Sequence, residues 1–332
     1  MKIVGFGDYL IHFSPFGNER FLQADLMTTT YTGAEANVCA ALAFWNEDVS
    51  FITRLPEHHL ATKGVMFLKS FGIHTDSIAY GSGRMGLYFL EKGHDLRPSA
   101  VIYDRSETVF TKSCFSDYDW AHILDHADAF YLSGITPSLS DSLLDCCEQV
   151  LRLAKDKNIP VFFDVNLRPT LCSLVKSREI FAALSPYITH LISNEEHLKQ
   201  LLDYAPSTDE VQPRLEELSH KAREATGIAN IAITVRRTIN AHQTAVYASY
   251  FSGSTMAVSQ KYEIDVVDRV GSGDAFSAGI VYSVLHSFDH ADTVNFAMAS
   301  GALKHTVNSD INYATLPEIR NLMASKGFDV VR

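Results

Sequence analysis

The chain is short of positive charge and contains no long hydrophobic run. Its 332 residues include 28 Lys and Arg against 39 Asp and Glu, which gives a formal net charge of −11. Because an acidic surface repels phosphate backbones and no local basic cluster is present, we expect no nucleic-acid partner. No stretch approaches the roughly 20 consecutive apolar residues that span a bilayer, so we expect no membrane partner. The first residues also lack the apolar core and cleavage site of a signal peptide.

Cysteine is scarce and irregularly placed. The five cysteines include no Cys-x-x-Cys pair, which argues against a structural zinc site and against a disulfide framework. Free thiols persist in reducing compartments, so the sequence predicts a cytoplasmic protein. No residue is assigned as a metal ligand, because His122 and His126 lack the glutamate of a His-Glu-x-x-His site.

Short apolar runs alternate with helix-like segments along most of the sequence. This alternation predicts βαβ units, which build an α/β fold with a central, mostly parallel sheet flanked by helices. The predicted strands are almost continuously apolar, as expected for strands that are covered on both faces. Strands are expected at residues 3–6, 49–53, 129–132, 161–165, 191–192 and 231–235, and helices at residues 34–45, 140–155 and 275–285. In the first of these helices, Val38, Leu42 and Trp45 are expected to share one apolar face.

Two segments interrupt this alternation, at residues 9–31 and about 85–105. The second contains two β-like runs that are separated by the polar sequence EKGHD. We expect the two segments to form a small inserted β-sheet, and such inserts commonly act as lids over a site. No repeat and no proline-rich linker divides the chain, so residues 1–332 are predicted to form a single domain with this lid.

The sequence DRVGSGDAF at residues 268–276 is the most informative in the chain. It follows a β-prone run and opens an apolar helix, and its two glycines allow a sharp turn and a close approach to a ligand. The amides at the start of such a helix suit a phosphate. Asp274 would stand beside that phosphate, where an acidic group is costly unless it takes a proton from an attacking hydroxyl. The alternative from these residues alone is a simple helix cap.

In its context this sequence resembles the C-terminal signature of the PfkB (ribokinase-like) carbohydrate kinases, DTxGAGD, with Arg269 and Ser272 in place of threonine and alanine. The sequence TGAEAN at residues 32–37 resembles the N-terminal signature of that family. The resemblance spans nearly the whole chain. It implies a ribokinase-like fold and the phosphorylation of a sugar-like alcohol by ATP, with Mg²⁺ as the accompanying ion.

The resemblance also implies roles for individual residues. Asp274 would be the general base, and the amides from Gly271 to Asp274 would form an anion hole for the transferred phosphoryl group. The phosphate-binding positions are therefore Gly271, Ser272 and Gly273, and the sugar-binding positions in this part of the resemblance are Asp8, Gly33 and Asn37.

Two departures from the family pattern concern ATP. An Asn-x-x-Glu motif linked to magnesium and phosphate falls on Asn194 with His197 at its last position, so Glu195, Glu196 or water must substitute. The nucleotide-contacting strand usually ends in Gly-x-x-Gly, but residues 233–238 read ITVRRT. A guanidinium pairs well with phosphate oxygens, and a solvated basic turn is the alternative. The nucleotide-binding candidates are Asn166, Asn194, Thr234 and Arg236, with Arg237 as the alternative to Arg236.

The sequences at residues 87–91, 97–105 and 164–169 resemble those of 2-keto-3-deoxygluconate kinases. By that resemblance Tyr88 and Tyr103 face a sugar acid, and Arg105 and Arg168 meet its carboxylate. The chemistry agrees, because a carboxylate is held well by planar guanidinium donors whereas a neutral sugar needs no pair of arginines. The expected product is the 6-phosphate of 2-keto-3-deoxy-D-gluconate. A salt bridge at the rim for Arg105 and helix capping for Arg168 are the alternatives.

The sequence is compatible with other functions as well. A fructokinase or ribokinase is the alternative within the family, and a homodimer through the lid is expected from the resemblance. A nucleotide-dependent oxidoreductase is suggested by Gly5 and Gly7 after the first strand, but the third glycine of that motif would fall on Leu10. A non-catalytic sugar-acid sensor on the same fold is the third hypothesis, against which the presence of Asp274 argues.

Overall fold

The computed structural model describes residues 1–253 and 255–324. Strands and helices alternate along these ranges, as the sequence predicts. The strands are β1 (Lys2–Phe6), β2 (Leu10–Pro15), β3 (Met27–Thr32), β4 (Asp48–Ile52), β5 (Arg54–Pro56), β6 (Ala79–Gly81), β7 (Gly86–Glu91), β8 (Ala100–Asp104), β9 (Ala129–Ser133), β10 (Val161–Asp164), β11 (His190–Asn194), β12 (Asn230–Thr238), β13 (Gln243–Ser252), β14 (Thr255–Val258) and β15 (Tyr262–Asp265). The helices are α1 (Ala34–Phe44), α2 (His59–Ser70), α3 (Trp120–Ile123), α4 (Ile135–Ser138), α5 (Asp141–Asp156), α6 (Leu174–Leu184), α7 (Glu195–Leu202), α8 (Val211–Thr226), α9 (Ser272–Leu285), α10 (His290–Lys304) and α11 (Leu316–Met323).

The central sheet has the strand order β14-β13-β12-β11-β10-β9-β1-β4, and β15 also pairs with β13. The strands from β4 to β12 in that order are parallel, whereas β13, β14 and β15 join by antiparallel pairing. Every residue of β9 and β10 is buried, because helices cover both faces of the parallel strands. The predicted α/β fold with a mostly parallel sheet is confirmed.

Two hydrophobic cores lie on opposite faces of this sheet. Ile3 and Phe162 belong to one core, while their neighbours Val4 and Phe163 belong to the other. This division follows from the strand geometry, since successive side chains point to opposite faces. Within the described ranges, none of the helices combines the length and the apolar character that a membrane crossing requires.

Helix α1 differs from the sequence-based expectation of one apolar face. Its residues from Glu35 to Ala43 are buried on all sides of the helix, because it lies between the sheet strands β1 and β4 and helix α9. Four alanines within that span keep the helix narrow enough for contact with both neighbours. An all-round buried helix fixes the position of its first turn, which carries Asn37.

The two segments that interrupt the alternation form a separate four-stranded sheet, as predicted. Its strand order is β3-β2-β7-β8, with β2 and β7 parallel and the outer pairs antiparallel. The small sheet contacts the main body through an ion pair between Lys92 Nζ and Asp268 Oδ2 at 2.8 Å. A second contact joins His12 Nδ1 of β2 to Asp310 Oδ2 at 2.8 Å. The small sheet is thus fastened to the loop that precedes α9 and to the segment between α10 and α11.

The parallel strands end at one edge of the central sheet. Strand β10 ends at Asp164, β11 ends at Asn194, and Asp8 follows β1 after one glycine. Carboxyl ends of parallel strands are where open α/β sheets bind ligands. The small sheet lies across this edge, since its residues Leu10, Tyr88 and Leu90 line the same cavity as Asp164 and Asn194.

Candidate active site

A cleft of about 740 Å³ lies between the carboxyl edge of the central sheet and the small sheet. All but one of the sequence-predicted site residues line it, and the exception, Asp8, is buried behind Arg105. The predicted residues in its lining are Gly33, Asn37, Tyr88, Tyr103, Arg105, Asn166, Arg168, Asn194, Thr234, Arg236, Gly271, Ser272, Gly273 and Asp274.

The glycine turn at the start of α9 has the backbone geometry of an anion-binding site. Gly271 adopts a φ of +77°, and a Cβ there would lie 1.8 Å from the carbonyl oxygen of Asp310, so only glycine fits. Helix α9 begins at Ser272, directly after it. The first-turn amides of a helix have no intrahelical acceptor and carry partial positive charge. A Cβ on Gly273 would meet no atom within 4 Å, so its backbone is open to a ligand.

Asp274 is held in place by the first turn of α1. Asn37 Nδ2 donates a hydrogen bond of 2.7 Å to Asp274 Oδ2, across 237 residues of sequence. Asn37 in turn bonds to the Thr32 hydroxyl at 3.3 Å. Gly33 before this turn allows a close approach, because a Cβ on it would lie 2.2 Å from the carbonyl oxygen of Asp8. The two glycine signatures of the sequence therefore meet at one carboxylate.

Asp274 and Asp164 form an acidic pair whose proton affinity suits work near neutral pH. Removal from water raises the pKa of Asp274 to about 7, against the opposing effects of the Asn37 hydrogen bond and the charge of Arg168. Burial and the neighbouring negative charge of Asp274 raise the pKa of Asp164 to about 7. Asn166, at a φ of +39°, donates its backbone N–H to Asp164 Oδ1 at 3.1 Å. A carboxyl group with such a pKa can accept a proton and release it again at neutral pH.

Three arginines bring positive charge into the cleft. Arg168, Arg236 and Arg269 all line the cleft. Desolvation and the charges of Arg269 and Arg168 lower the pKa of Arg236, which indicates that the three guanidinium groups lie near one another. Arg236 shares its strand face with Thr234, two residues before it, whereas Arg237 is not part of the cleft lining. Of these two arginines, Arg236 is therefore the one that a ligand in the cleft could contact.

The small sheet contributes an aromatic pair and a buried ion pair. Tyr88 and Tyr103 are direct cross-strand partners, and their rings stack with centroids 5.5 Å apart. The Arg105 guanidinium lies 5.7 Å from the centre of the Tyr103 ring. Its Nε and Nη2 donate to Asp8 Oδ2 at 3.2 and 2.9 Å, so Nη1 is the part that can reach a ligand. Arg105 is therefore both a structural partner of Asp8 and a residue of the cleft.

The segment after β11 explains how the motif departure at His197 is accommodated. Asn194 Oδ1 accepts the His197 backbone N–H at 2.8 Å, and its Nδ2 lies 2.8 Å from His197 Nδ1. Glu195 is buried and paired with Arg214 at 2.8 Å, so its carboxylate is committed to the fold. The Glu196 carboxylate is 69% exposed while lining the cleft. Of the two glutamates that the sequence leaves open beside water, Glu196 has the more exposed side chain.

Sequence reasoning assigned no role to Asp164 or Arg269, although both line the cleft. A carboxylate that ends an almost entirely apolar strand was the available signal for Asp164. For Arg269, the available signal was that an arginine replaces the threonine of the family signature. Arg269 Nη2 donates to the carbonyl oxygen of Ala241 at 2.8 Å, which fixes the guanidinium beside the glycine turn.

The chain is similar to known kinases over nearly its whole length. The chain is similar to a 2-dehydro-3-deoxygluconokinase structure from Thermotoga maritima, with 35% identity, a TM-score of 0.95, and coverage of 98% of this chain and 99% of the other. It is 28% identical to a 2-dehydro-3-deoxygalactonokinase of Haloferax volcanii over 97% of this chain and 96% of that protein. An E. coli protein described as a ribokinase II, in complex with ATP and Mg²⁺, shares the fold at 17% identity, a TM-score of 0.81, and coverage of 98% and 99%.

The profile of the pfkB family carbohydrate kinases matches residues 2–317, which include both glycine signatures and the small sheet. The match thus spans every residue that lines the cleft. The chain belongs to the pfkB family of carbohydrate kinases.

Proposed function

We propose that this kinase transfers the γ-phosphoryl group of ATP to the terminal hydroxyl of a 2-keto-3-deoxy sugar acid, with 2-keto-3-deoxy-D-gluconate as the substrate and its 6-phosphate as the product. The observation that carries the proposal is the presence of Asp274 and Arg168 in one cleft covered by the small sheet. The Asp274 carboxyl group, whose pKa lies near neutral pH, would serve as the base, and the Arg168 guanidinium would bind the carboxylate of the sugar acid.

The proposed reaction assigns one proton transfer to Asp274. Its carboxylate takes the proton of the terminal hydroxyl while the hydroxyl oxygen forms a bond to the γ-phosphorus. The bond from that phosphorus to the bridging oxygen breaks, and ADP leaves with the electron pair. The backbone amides at Gly273 and Asp274 stabilise the charge on the transferred group, because preorganised donors cost no reorganisation during the reaction. Asn37 keeps Asp274 oriented through its 2.7 Å bond.

Arg236, Thr234 and Asn194 are the proposed contacts for ATP, since all three line the cleft near the glycine turn. No group of three or more His, Cys, Asp or Glu ligands gathers within residues 1–253 and 255–324. Mg²⁺ needs no such group when it is carried by ATP, because it keeps waters and phosphate oxygens as ligands. Glu196 and Asn194 would hold it to the protein, and the bound ion would neutralise charge on the phosphates.

Arg168 is the proposed main contact for the sugar-acid carboxylate. The positive charge of Arg168 lowers the pKa of Asp274, so an anionic carboxylate on Arg168 would oppose that effect, raise the pKa of Asp274 and make its carboxylate a stronger proton acceptor. Arg105 would add one contact through Nη1, since its other side donates to Asp8. Tyr88 and Tyr103 form the apolar wall on which the carbon chain of the acid would lie.

The galactonate epimer is the second candidate substrate, because the Haloferax volcanii relative that is similar over 97% of this chain is named for it. Fructose and ribose are the alternatives without a carboxylate. We further propose a homodimer through the small sheet, which is supported by the exposure of Val101 and Ile102 on β8 at 43% and 54%. The five cysteines, all within the described ranges, are free thiols, which supports the proposed cytoplasmic location.

A coupled assay of ADP release tests the proposed function. The purified enzyme is given ATP and Mg²⁺ with the gluconate acid, its galactonate epimer, fructose or ribose, and kcat/KM is measured for each. We expect the two acids to exceed the neutral sugars by about tenfold to a hundredfold, as one or two charge-assisted hydrogen bonds allow. A neutral sugar with the higher kcat/KM would refute the sugar-acid assignment, and the absence of ADP release with every sugar would favour a sensor.

A further inference from the structure

Lys304, the last residue of α10, is a lysine with no exposed surface. Lysine is rarely buried to this degree, because an ammonium loses its hydration and must find partners. Lys304 does not line the cleft, so none of the steps proposed above uses it. Its burial therefore needs an explanation in the surrounding contacts.

The Lys304 ammonium links the backbone segment before the glycine turn to the segment that follows α10. It donates to the carbonyl oxygen of Asp268 at 3.3 Å and to that of Val307 at 3.2 Å. Asp268 lies three residues before Gly271, and its Oδ1 accepts the Val270 backbone N–H at 3.0 Å. The segment after Val307 reaches the turn itself, because the carbonyl oxygen of Asp310 is the atom that a Cβ on Gly271 would strike.

The same ammonium lies among several negative groups. Burial lowers the pKa of Lys304, while the carboxylates of Asp268, Asp310 and Asp274 act to raise it and the charge of Lys92 lowers it further. Asp268 is also paired with Lys92 of the small sheet, and Asp310 with His12. A positive charge at this position compensates carboxylates that would otherwise weaken phosphate binding by repulsion.

We propose that Lys304 is a positioning residue that supplies a permanent positive charge next to the phosphate-binding turn. Its ammonium donates to the carbonyl oxygens of Asp268 and Val307 and so keeps Gly271 to Asp274 in the geometry that binds the phosphoryl group. Removal of the ammonium leaves an oxygen-lined space with a net negative surround. A small monovalent cation such as K⁺ or NH₄⁺ has the charge and the preference for carbonyl oxygens to replace it. The wild-type enzyme, which carries its own cation, has no such requirement.

Two variants separate the charge of Lys304 from its volume. Lys304→Ala removes the ammonium and opens space for an ion, whereas Lys304→Met removes the charge and fills most of the space. Exposed Lys63, on α2, supplies the matched control Lys63→Ala. Each protein is assayed for ADP release with the sugar acid in choline chloride, KCl or NH₄Cl at equal ionic strength. The melting temperature of each protein is measured in the same three salts.

In choline chloride we expect kcat of both Lys304 variants to fall by about tenfold to a hundredfold, because the anion hole loses part of its support. KM for the acid should stay within about threefold of the wild-type value. K⁺ or NH₄⁺ should restore kcat of Lys304→Ala by about fivefold or more and raise its melting temperature, because an ion that binds only the folded state stabilises it. Lys304→Met, Lys63→Ala and the wild type should not respond.

Three results would overturn the proposal, each judged against the same range for an anion hole. The first is turnover of either Lys304 variant within about threefold of wild type in choline chloride. The second is a folded Lys304→Ala whose turnover no cation restores, and the third is a wild type that K⁺ accelerates by more than about threefold. Should Lys304→Ala not fold, Lys304→Met decides by the first criterion, and loss of folding in both variants also overturns it. The assay rests on the proposed sugar-acid activity, whose failure would appear as an inactive wild type, while the melting temperatures in K⁺ still test the inference.

Discussion

Asp274→Asn is expected to lower activity and to raise stability together. The substitution keeps the shape of the side chain and lets its amide oxygen still accept the 2.7 Å bond from Asn37. The amide cannot take a proton from the sugar hydroxyl, so kcat should fall by about 10²- to 10⁴-fold, the usual contribution of a general base. KM for the sugar acid should stay close to that of the wild type, because the substitution does not alter the proposed contact between the acid's carboxylate and Arg168.

The stability gain follows from the pKa of Asp274. A rise from 3.8 to about 7 corresponds to about 4 kcal/mol of unfavourable charge burial, since one pKa unit is about 1.4 kcal/mol. Asp274 is only half-buried, so solvent screening reduces this figure, and we expect about 1–3 kcal/mol. The penalty is present in full above the folded-state pKa, where both states are charged. It declines as the pH falls from about 7 towards 4, because the folded state binds a proton first.

Urea unfolding of wild type and Asp274→Asn at pH 8 and at pH 4.5 measures this difference. We expect the variant to be more stable at pH 8 and the two proteins to converge at pH 4.5. The exposed Asp76 provides the control Asp76→Asn, which should change stability little at either pH. Turnover near the wild-type value would refute the general base, and a variant less stable than wild type at pH 8 would refute the costly buried charge.

Three further predictions concern the surroundings of Asp274. Asp164→Asn removes a negative charge near Asp274 and should lower the pKa of Asp274. The rise of kcat/KM with pH, expected near pH 7, should therefore move to lower pH in a pH–rate profile. An unchanged profile would contradict the interaction between the two carboxyl groups. Arg105→Met leaves Asp8 unpaired and should cost about 3–5 kcal/mol in urea unfolding, part of which Asp8→Asn in the same chain should recover. Arg168→Lys should raise KM for the acid without changing KM for ATP, since the planar fork is lost. Equal KM values of Arg168→Lys and the wild type for the acid would argue against a bidentate contact from the Arg168 guanidinium.

Backbone hydrogen exchange tests the lid. The four strands of the small sheet should exchange more slowly when the sugar acid and a non-hydrolysable ATP analogue are both added, because closure excludes water from the cleft. The predicted lid would be wrong if these strands exchanged equally with and without the ligands while the glycine turn became protected.

Local patterns in the sequence were sufficient for the architecture. Apolar runs such as residues 161–165 predicted buried parallel strands because strands covered on both faces tolerate few polar side chains. The glycines at positions 33 and 271 marked the two turns because a side chain there meets backbone atoms. The interrupting segments predicted the second sheet, since their spacing did not fit a βαβ unit.

Patterns of sequence were insufficient where a residue's partner lies far along the chain. Helix α1 was expected to have one apolar face, but its contact with both the sheet and α9 buries it all round. Arg105 was expected to contact the substrate or to form a salt bridge at the rim, whereas the fold buries it in an ion pair with Asp8, 97 residues earlier. Asp164 received no role because its raised pKa depends on burial and on the charge of Asp274, which is distant in sequence and close in space.

The sequence by itself determined which chemical groups this kinase possesses: a carboxylate after a glycine turn, arginines for anions, and two signatures in a fixed order. Short-range sterics and hydrophobic periodicity decide these features, so they can be predicted without coordinates. The tertiary structure alone decided which groups share one cleft, which arginine is already paired, and where the Lys304 ammonium lies. Those outcomes depend on long-range packing, and burial and charge proximity exist only once the chain has folded.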